Sequence, residues 1–204
     1  MDTSPHPTLI VIAGPNGSGK TSLTTQVLQH RWIEGCTYIN PDHLARDVFG
    51  DWNSPDAVLK AAQLASERRE ICLRRGGSMA FESVLSAPDK VEFIERAKAK
   101  DFFVRVFFVG TDHPSINAAR IARRVMEGGH DVPIQKIISR YAKSISNCAA
   151  VATFVDRVYV YDNSVEHEEP KLLFRANSGR IVKTYHAIHD WAHPIANSLG
   201  KETP

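Results

Sequence analysis

The chain has 204 residues, of which 43% are hydrophobic and 24% charged, with a formal net charge of +2. That is enough chain for one globular domain with a sizeable core, and the near-neutral balance gives no footing for a nucleic acid or a membrane surface. Three widely spaced cysteines, Cys36, Cys72 and Cys148, form no C-x-x-C pair and read as reduced thiols, not as a disulfide or a metal site.

Met1 to Pro7 is polar and proline-bearing, and the apolar run Leu9 to Ala13 is too short for a signal peptide or a membrane span, which points to a cytoplasmic protein. Leu9–Ala13 predicts a buried strand, a short β-branched run closed by Gly14. A helix follows from Lys20 to about His30, then a short strand at Thr37–Ile39 and a brief helix over Asp42–Phe49. Ala57–Arg74 is a longer amphipathic helix, stopped by Gly76 and Gly77. Met79–Val84 reads as a strand, Pro88–Lys100 as a helix and Phe102–Val109 as a second buried strand. Ser115–Glu127 is helical up to Gly128–Gly129, and Pro133 opens another helix through Ser146. The last elements are a strand at Val158–Tyr161, a hairpin over Leu172–Tyr185 turning at Asn177–Ser178–Gly179, and a helix over roughly Ala187–Leu199.

Strands alternating with helices predict a three-layer α/β/α fold with a mostly parallel sheet, whose ligands sit beyond the carboxyl ends of the strands. With no linker or repeat to divide it, residues 1–204 read as a single domain, with a helical lid over about 115–146 and a hairpin and helix over about 170–200.

Gly14-Pro15-Asn16-Gly17-Ser18-Gly19-Lys20-Thr21 satisfies every fixed position of the phosphate-loop pattern G-x-x-x-x-G-K-[ST]. The glycines let the backbone curl so that successive N–H groups face phosphate oxygens, and the helix that begins there adds its positive end through Ser22. Lys20 can reach the β- and γ-phosphates and the Thr21 hydroxyl can bind Mg²⁺, so the loop predicts ATP binding. A chance turn is the alternative, disfavoured by the strand before the loop and the helix after it.

No N-K-x-D guanine-reading motif and no L-S-G-G-Q signature is present, and the strands carry no acidic pair of the motor or transporter kind. Those absences favour a compact kinase. Asp42, after the second short strand, is placed either to orient and deprotonate an acceptor hydroxyl or to cap the next helix. Glu82, near the end of an apolar strand, either faces the cleft or pairs with a neighbouring helix. Arg120 and Arg124, four residues apart, share a helix face, and Arg140 lies on the next helix; they either clamp phosphates from a lid or form a solvated face. His130 reads as a hinge or packing residue, and Asp162-Asn163-Ser164 as base contacts or an Asx turn.

Taken in order, the phosphate loop, Asn40-Pro-Asp42, Phe81-Glu-Ser-Val-Leu-Ser86, Arg120-Ile-Ala-Arg-Arg-Val125, Gly128-Gly-His-Asp-Val-Pro133, Ser139-Arg-Tyr141 and Tyr161-Asp-Asn-Ser164 resemble the zeta-toxin-like P-loop kinases, and in particular their compact G-G-H-x-V-P branch. The likeness runs from about residue 8 to residue 164. It implies a nucleotide-kinase-like architecture and ATP-dependent phosphoryl transfer to a hydroxyl of a small acceptor such as UDP-N-acetylglucosamine. It also implies Asp42 as catalytic base, Glu82 as substrate-site acid, Arg124 and Arg140 as phosphate clamps, and an antitoxin protein as a partner. Asn40-Pro41 stands where the toxins tend to show another acidic residue. A nucleoside or nucleotide kinase with another acceptor, or a nucleotide-dependent binding switch with little turnover, are the alternative readings.

Overall fold

The computed structural model describes residues 6–50, 54–127 and 132–201. Its eight-stranded sheet comprises β1 (Thr8–Ala13), β2 (Thr37–Ile39), β3 (Met79–Ser83), β4 (Phe103–Gly110), β5 (Arg157–Asp162), β6 (Lys171–Asn177), β7 (Arg180–Thr184) and β8 (Gly200–Lys201), in the order 2-3-1-4-5-6-7-8. β2, β3, β1, β4 and β5 run parallel; β6 and β7 form the antiparallel hairpin, and β8 pairs parallel with β7. The chain winds to one side of β1 through β2 and β3 and then to the other through β4 and β5. The crevice therefore opens at the carboxyl end of β1.

The helices are α1 (Lys20–Leu28), α2 (Pro41–Phe49), α3 (Pro55–Arg75), α4 (Pro88–Lys98), α5 (Pro114–Met126), α6 (Ile134–Ala152) and α7 (His193–Asn197). They cover both faces of the sheet because its central strands are apolar on both sides. Leu9, Val11 and Ala13 of β1 enter a core shared with α3, α4 and α6, whereas Ile10 and Ile12 pack with Leu23 and Val27 of α1. Phe81, Phe107 and Phe108 are at most 1% exposed, and burying such a side chain contributes roughly 1.5–3 kcal/mol. No helix among the described residues is long and apolar enough to cross a membrane.

Most expected elements lie within two residues of their predicted bounds. Two differ. α6 continues to Ala152 because Ile145, Cys148, Val151 and Ala152 keep facing the core, so only its first half is available to a lid. The expected C-terminal helix shrinks to a 3-10 turn at Asp190–Ala192 and the five-residue α7. Pro194 explains this: with no N–H to donate, it is tolerated only in a first turn, so the helix cannot begin earlier.

Candidate active site

The phosphate loop joins β1 to α1 and is held from outside by two asparagines. Asn117 of α5, fully buried, donates from Nδ2 to the Asn16 carbonyl at 2.7 Å. Asn163, after β5, donates from Nδ2 to the Ser18 carbonyl at 2.8 Å. With trans peptides in the loop, the N–H groups of Gly17 and Gly19 point away from these asparagines. Both glycines line the cleft, with φ of 76° and 89°. A Cβ at Gly17 would lie 2.6 Å from the Asn117 carbonyl oxygen, and one at Gly19 2.1 Å from Asn163 Nδ2. Only glycine fits there, on backbone and packing grounds together.

Lys20 opens α1 and folds back over the loop, its Nζ 3.0 Å from the carbonyls of both Gly14 and Pro15. Burial lowers its pKa to about 8; Glu82 and Asp42 oppose the shift and Arg124 reinforces it. The ammonium thus stands in the field of two carboxylates and one guanidinium, with its hydration partly stripped.

Those groups share one cleft of about 400 Å³, lined by Asn16, Gly17, Gly19, Lys20 and Thr21 of the loop and by Asp42, Glu82, Arg120 and Arg124. Among the described residues, Pro15, Ser18 and Ser22 do not line it: Pro15 and Ser18 are buried in the loop's frame, and Ser22 points outward from α1. Gly14 forms the turn out of β1, its N–H bonded to the Ser83 carbonyl at 3.2 Å.

Asp42 does not cap α2. Asn40 does, its Oδ1 accepting from the Asp42 N–H at 2.8 Å, with Pro41 in the first turn. The Asp42 carboxylate is exposed to the cleft instead. Glu82 points to the α1 side of β3 and meets hydroxyls, with no ion pair among the described residues. Its Oε1 accepts from Thr24 Oγ1 at 2.8 Å and from Tyr38 OH at 3.1 Å, and Asn40 Nδ2 donates to Tyr38 OH at 3.0 Å. Burial and the Glu82 charge push the Tyr38 phenol's pKa up, so it stays a donor.

Arg120 and Arg124 enter from α5, Arg120 also donating to the carbonyls of Asn163 at 2.9 Å and Val165 at 3.4 Å. Arg140 lies outside this cleft. It borders an adjoining cavity, and its Nη1 is 3.5 Å from Asn16 Oδ1. Asp162 and Ser164 form the Asx turn, Ser164 N to Asp162 Oδ2 at 3.1 Å; Asp162 Oδ1 also accepts from Trp191 Nε1 at 2.9 Å. His130 and its neighbours 128, 129 and 131 lie outside the described residues. Thr24, Tyr38 and Asn117 carried no spacing signal in the sequence; burial of Asn117 within an amphipathic helix is visible only in three dimensions.

The sequence profile of the family described as "Zeta toxin" matches residues 1–169. An uncharacterized protein of Haemophilus influenzae is 29% identical over 132 residues, 65% of this chain and 91% of that protein. Among solved structures, the AvrRxo1-ORF1:-ORF2 pair with ATP aligns with a TM-score of 0.62 and 21% identity over 85% of this chain and 59% of that one, so the present chain spans about three-fifths of its length. The PezAT toxin–antitoxin system of Streptococcus pneumoniae aligns with a TM-score of 0.61 and 15% identity, over 85% of this chain and 73% of that one. At such identities the structural likeness establishes a shared P-loop kinase-like fold.

Proposed function

The chain belongs to the zeta-toxin family, and on that premise we propose that it is an ATP-dependent kinase that transfers the γ-phosphate to a hydroxyl of a nucleotide-sugar-like acceptor, with UDP-N-acetylglucosamine as the archetype. The observation that carries this reading is the gathering of Lys20, Asp42, Glu82 and two arginines around one cleft. Kinase catalysis needs little more than this: a phosphate cradle, cations for the equatorial oxygens and a carboxylate at the entering hydroxyl.

In the proposed reaction the acceptor hydroxyl gives its proton to Asp42 as its oxygen bonds to the γ-phosphorus, and the bond from that phosphorus to the ADP oxygen breaks. Lys20, Arg120 and Arg124 balance the charge on the transferring group. Glu82, steadied by Thr24 and Tyr38, orients the acceptor. Mg²⁺ would sit at the Thr21 hydroxyl and neutralise phosphate oxygens. No group of three His, Cys, Asp or Glu among the described residues could hold a metal, which fits an ion carried mainly by nucleotide phosphates and water. α5 and the first half of α6 are proposed as the lid, and a protein antitoxin as a partner, the latter supported by the toxin–antitoxin system among its structural relatives.

Asp42→Asn tests this directly. Nucleotide binding should persist while phosphoryl transfer to UDP-N-acetylglucosamine, followed by mass spectrometry, falls by about two orders of magnitude or more. Undiminished turnover would remove Asp42 from the role of base.

A further inference from the structure

Beside the nucleotide cleft lies a second cavity of about 650 Å³, and Pro41, Glu82, Ser83 and Val84 line both. A ligand filling this second space therefore ends beside Glu82, at the edge of the cleft where phosphoryl transfer is proposed. Its most unusual wall is Arg69 of α3. The residue is only 7% exposed, its guanidinium stacks over the Phe81 ring at 5.2 Å, and it makes no hydrogen bond or ion pair among the described residues.

The carboxylates near Arg69, Glu70 and Asp89, act on it only at a distance and are each bonded to another cation. Glu70 holds Arg96 through two hydrogen bonds of 2.8 and 2.6 Å, Asp89 is paired with Lys90, and Glu82 is bound by Thr24 and Tyr38. A buried guanidinium offers five N–H donors and is costly to leave uncompensated. Burial lowers the Arg69 pKa, and the charges of Asp89 and Glu70 offset it only in part. Lys90 and Arg140 stand on the same cavity with Asp89, which pairs with Lys90, and the adjoining cleft around Arg140 adds Lys136 and Lys143 with no carboxylate among the described residues of its lining. With Asp89 and Glu82 counted against Arg69, Lys90 and Arg140, the balance is still cationic, and Ser83 and Ser86 supply hydroxyls beside it.

We infer that this cavity is an anion subsite for the acceptor: Arg69, backed by Phe81, binds a phosphoryl group of the acceptor molecule remote from the hydroxyl that reacts, with Lys90 and Arg140 completing the charge. The inference rests on the kinase reading for what the ligand is, and on the cavity alone for where the anion binds. A guanidinium fork favours phosphate or carboxylate oxygens in bidentate contact. Several cations around one space favour the more highly charged phosphoryl group.

The test uses pyrophosphate as probe, titrated calorimetrically into the full chain after the phosphate loop has been filled with a non-hydrolysable ATP analogue and Mg²⁺. Pyrophosphate should bind the filled protein. Arg69→Met, which keeps an unbranched stem over Phe81, should weaken that binding by about tenfold or more while leaving affinity for the ATP analogue unchanged. Lys90→Gln should weaken it less, and it gives the same reading should Arg69→Met fail to fold. No pyrophosphate binding to the filled protein, or equal binding by Arg69→Met, overturns the proposal. So does equal binding of malonate, which would mark a carboxylate site. None of these readouts depends on turnover, so an inactive wild type would count against the kinase reading, an active Asp42→Asn against the role of Asp42 alone, and either would leave the subsite standing.

Discussion

The phosphate loop and the cavity around Arg69 meet at Glu82, yet they are built in opposite ways. The loop is a contiguous stretch whose shape is fixed by the protein itself, with two loop carbonyls tied to asparagines and two glycines pressed against their neighbours. The Arg69 cavity gathers cations from α3, α4 and α6 around open space, and its central guanidinium lies on an aromatic face with no hydrogen bond among the described residues. A preorganised loop costs little to fill with the one group it fits, a polyphosphate. A wall of under-neutralised charge leaves its last partner to the ligand, so residues there can change what is accepted without disturbing the loop.

Gly19→Ala is the substitution that strikes hardest at this contrast. The new Cβ would lie 2.1 Å from Asn163 Nδ2 at a residue with φ of 89°. Strain of this kind costs about 1–3 kcal/mol, so affinity for the ATP analogue should fall by about tenfold to a hundredfold. Pyrophosphate binding at the Arg69 cavity should not follow it down. An unchanged nucleotide affinity would mean that the loop adapts as readily as the cavity, and the contrast would fail.

A smaller effect is expected from Asn163→Ala, which deprives the Ser18 carbonyl of its donor and should weaken nucleotide binding severalfold, in line with about 1 kcal/mol for a hydrogen bond. The pair sharpens the argument when combined. Since the Gly19→Ala clash is with Asn163 itself, the double variant should bind the ATP analogue better than Gly19→Ala alone. Additive losses in that cycle would show that the two positions do not press on each other.

This contrast also separates what could be read in the sequence from what could not. Gly14 to Thr21 is legible because its chemistry is local: a strand, a curl of glycines and a helix start within a few residues. Asp42 and Glu82 were legible by place, at the carboxyl ends of parallel strands, although the sequence left open whether Asp42 capped its helix; Asn40 does so. Asn117 and Asn163 act on loop residues 101 and 145 positions away, and a single asparagine has no spacing that announces such a contact. Arg69 sits in the charged run Glu67-Arg68-Arg69-Glu70, which reads as a solvated helix surface until packing shows that one of the four is buried on Phe81.

Lys20 belongs to the loop but stands in the field of Glu82, which borders both regions, and its titration gives the finest test. Burial holds its pKa near 8, while the carboxylates of Asp42 and Glu82 limit the fall and Arg124 deepens it. A polyphosphate against the ammonium replaces the lost hydration with negative charge, so the pKa should rise towards its ordinary range when nucleotide binds. The sign follows: above pH 8 the ligand-free loop holds fewer protons than the bound one, binding takes up a proton, and affinity falls as pH rises. From the protonated fraction alone, affinity should drop about twofold between pH 7 and pH 8 and more steeply beyond. Calorimetry in two buffers of different ionisation enthalpy would detect the proton taken up at pH 8.5, and Lys20→Met, though a weak binder, should show neither the uptake nor the slope. A wild-type affinity flat to pH 9 would mean that the ammonium keeps its charge by its bonds to Gly14 and Pro15 alone, and that the loop is even more self-sufficient than its two asparagines suggest.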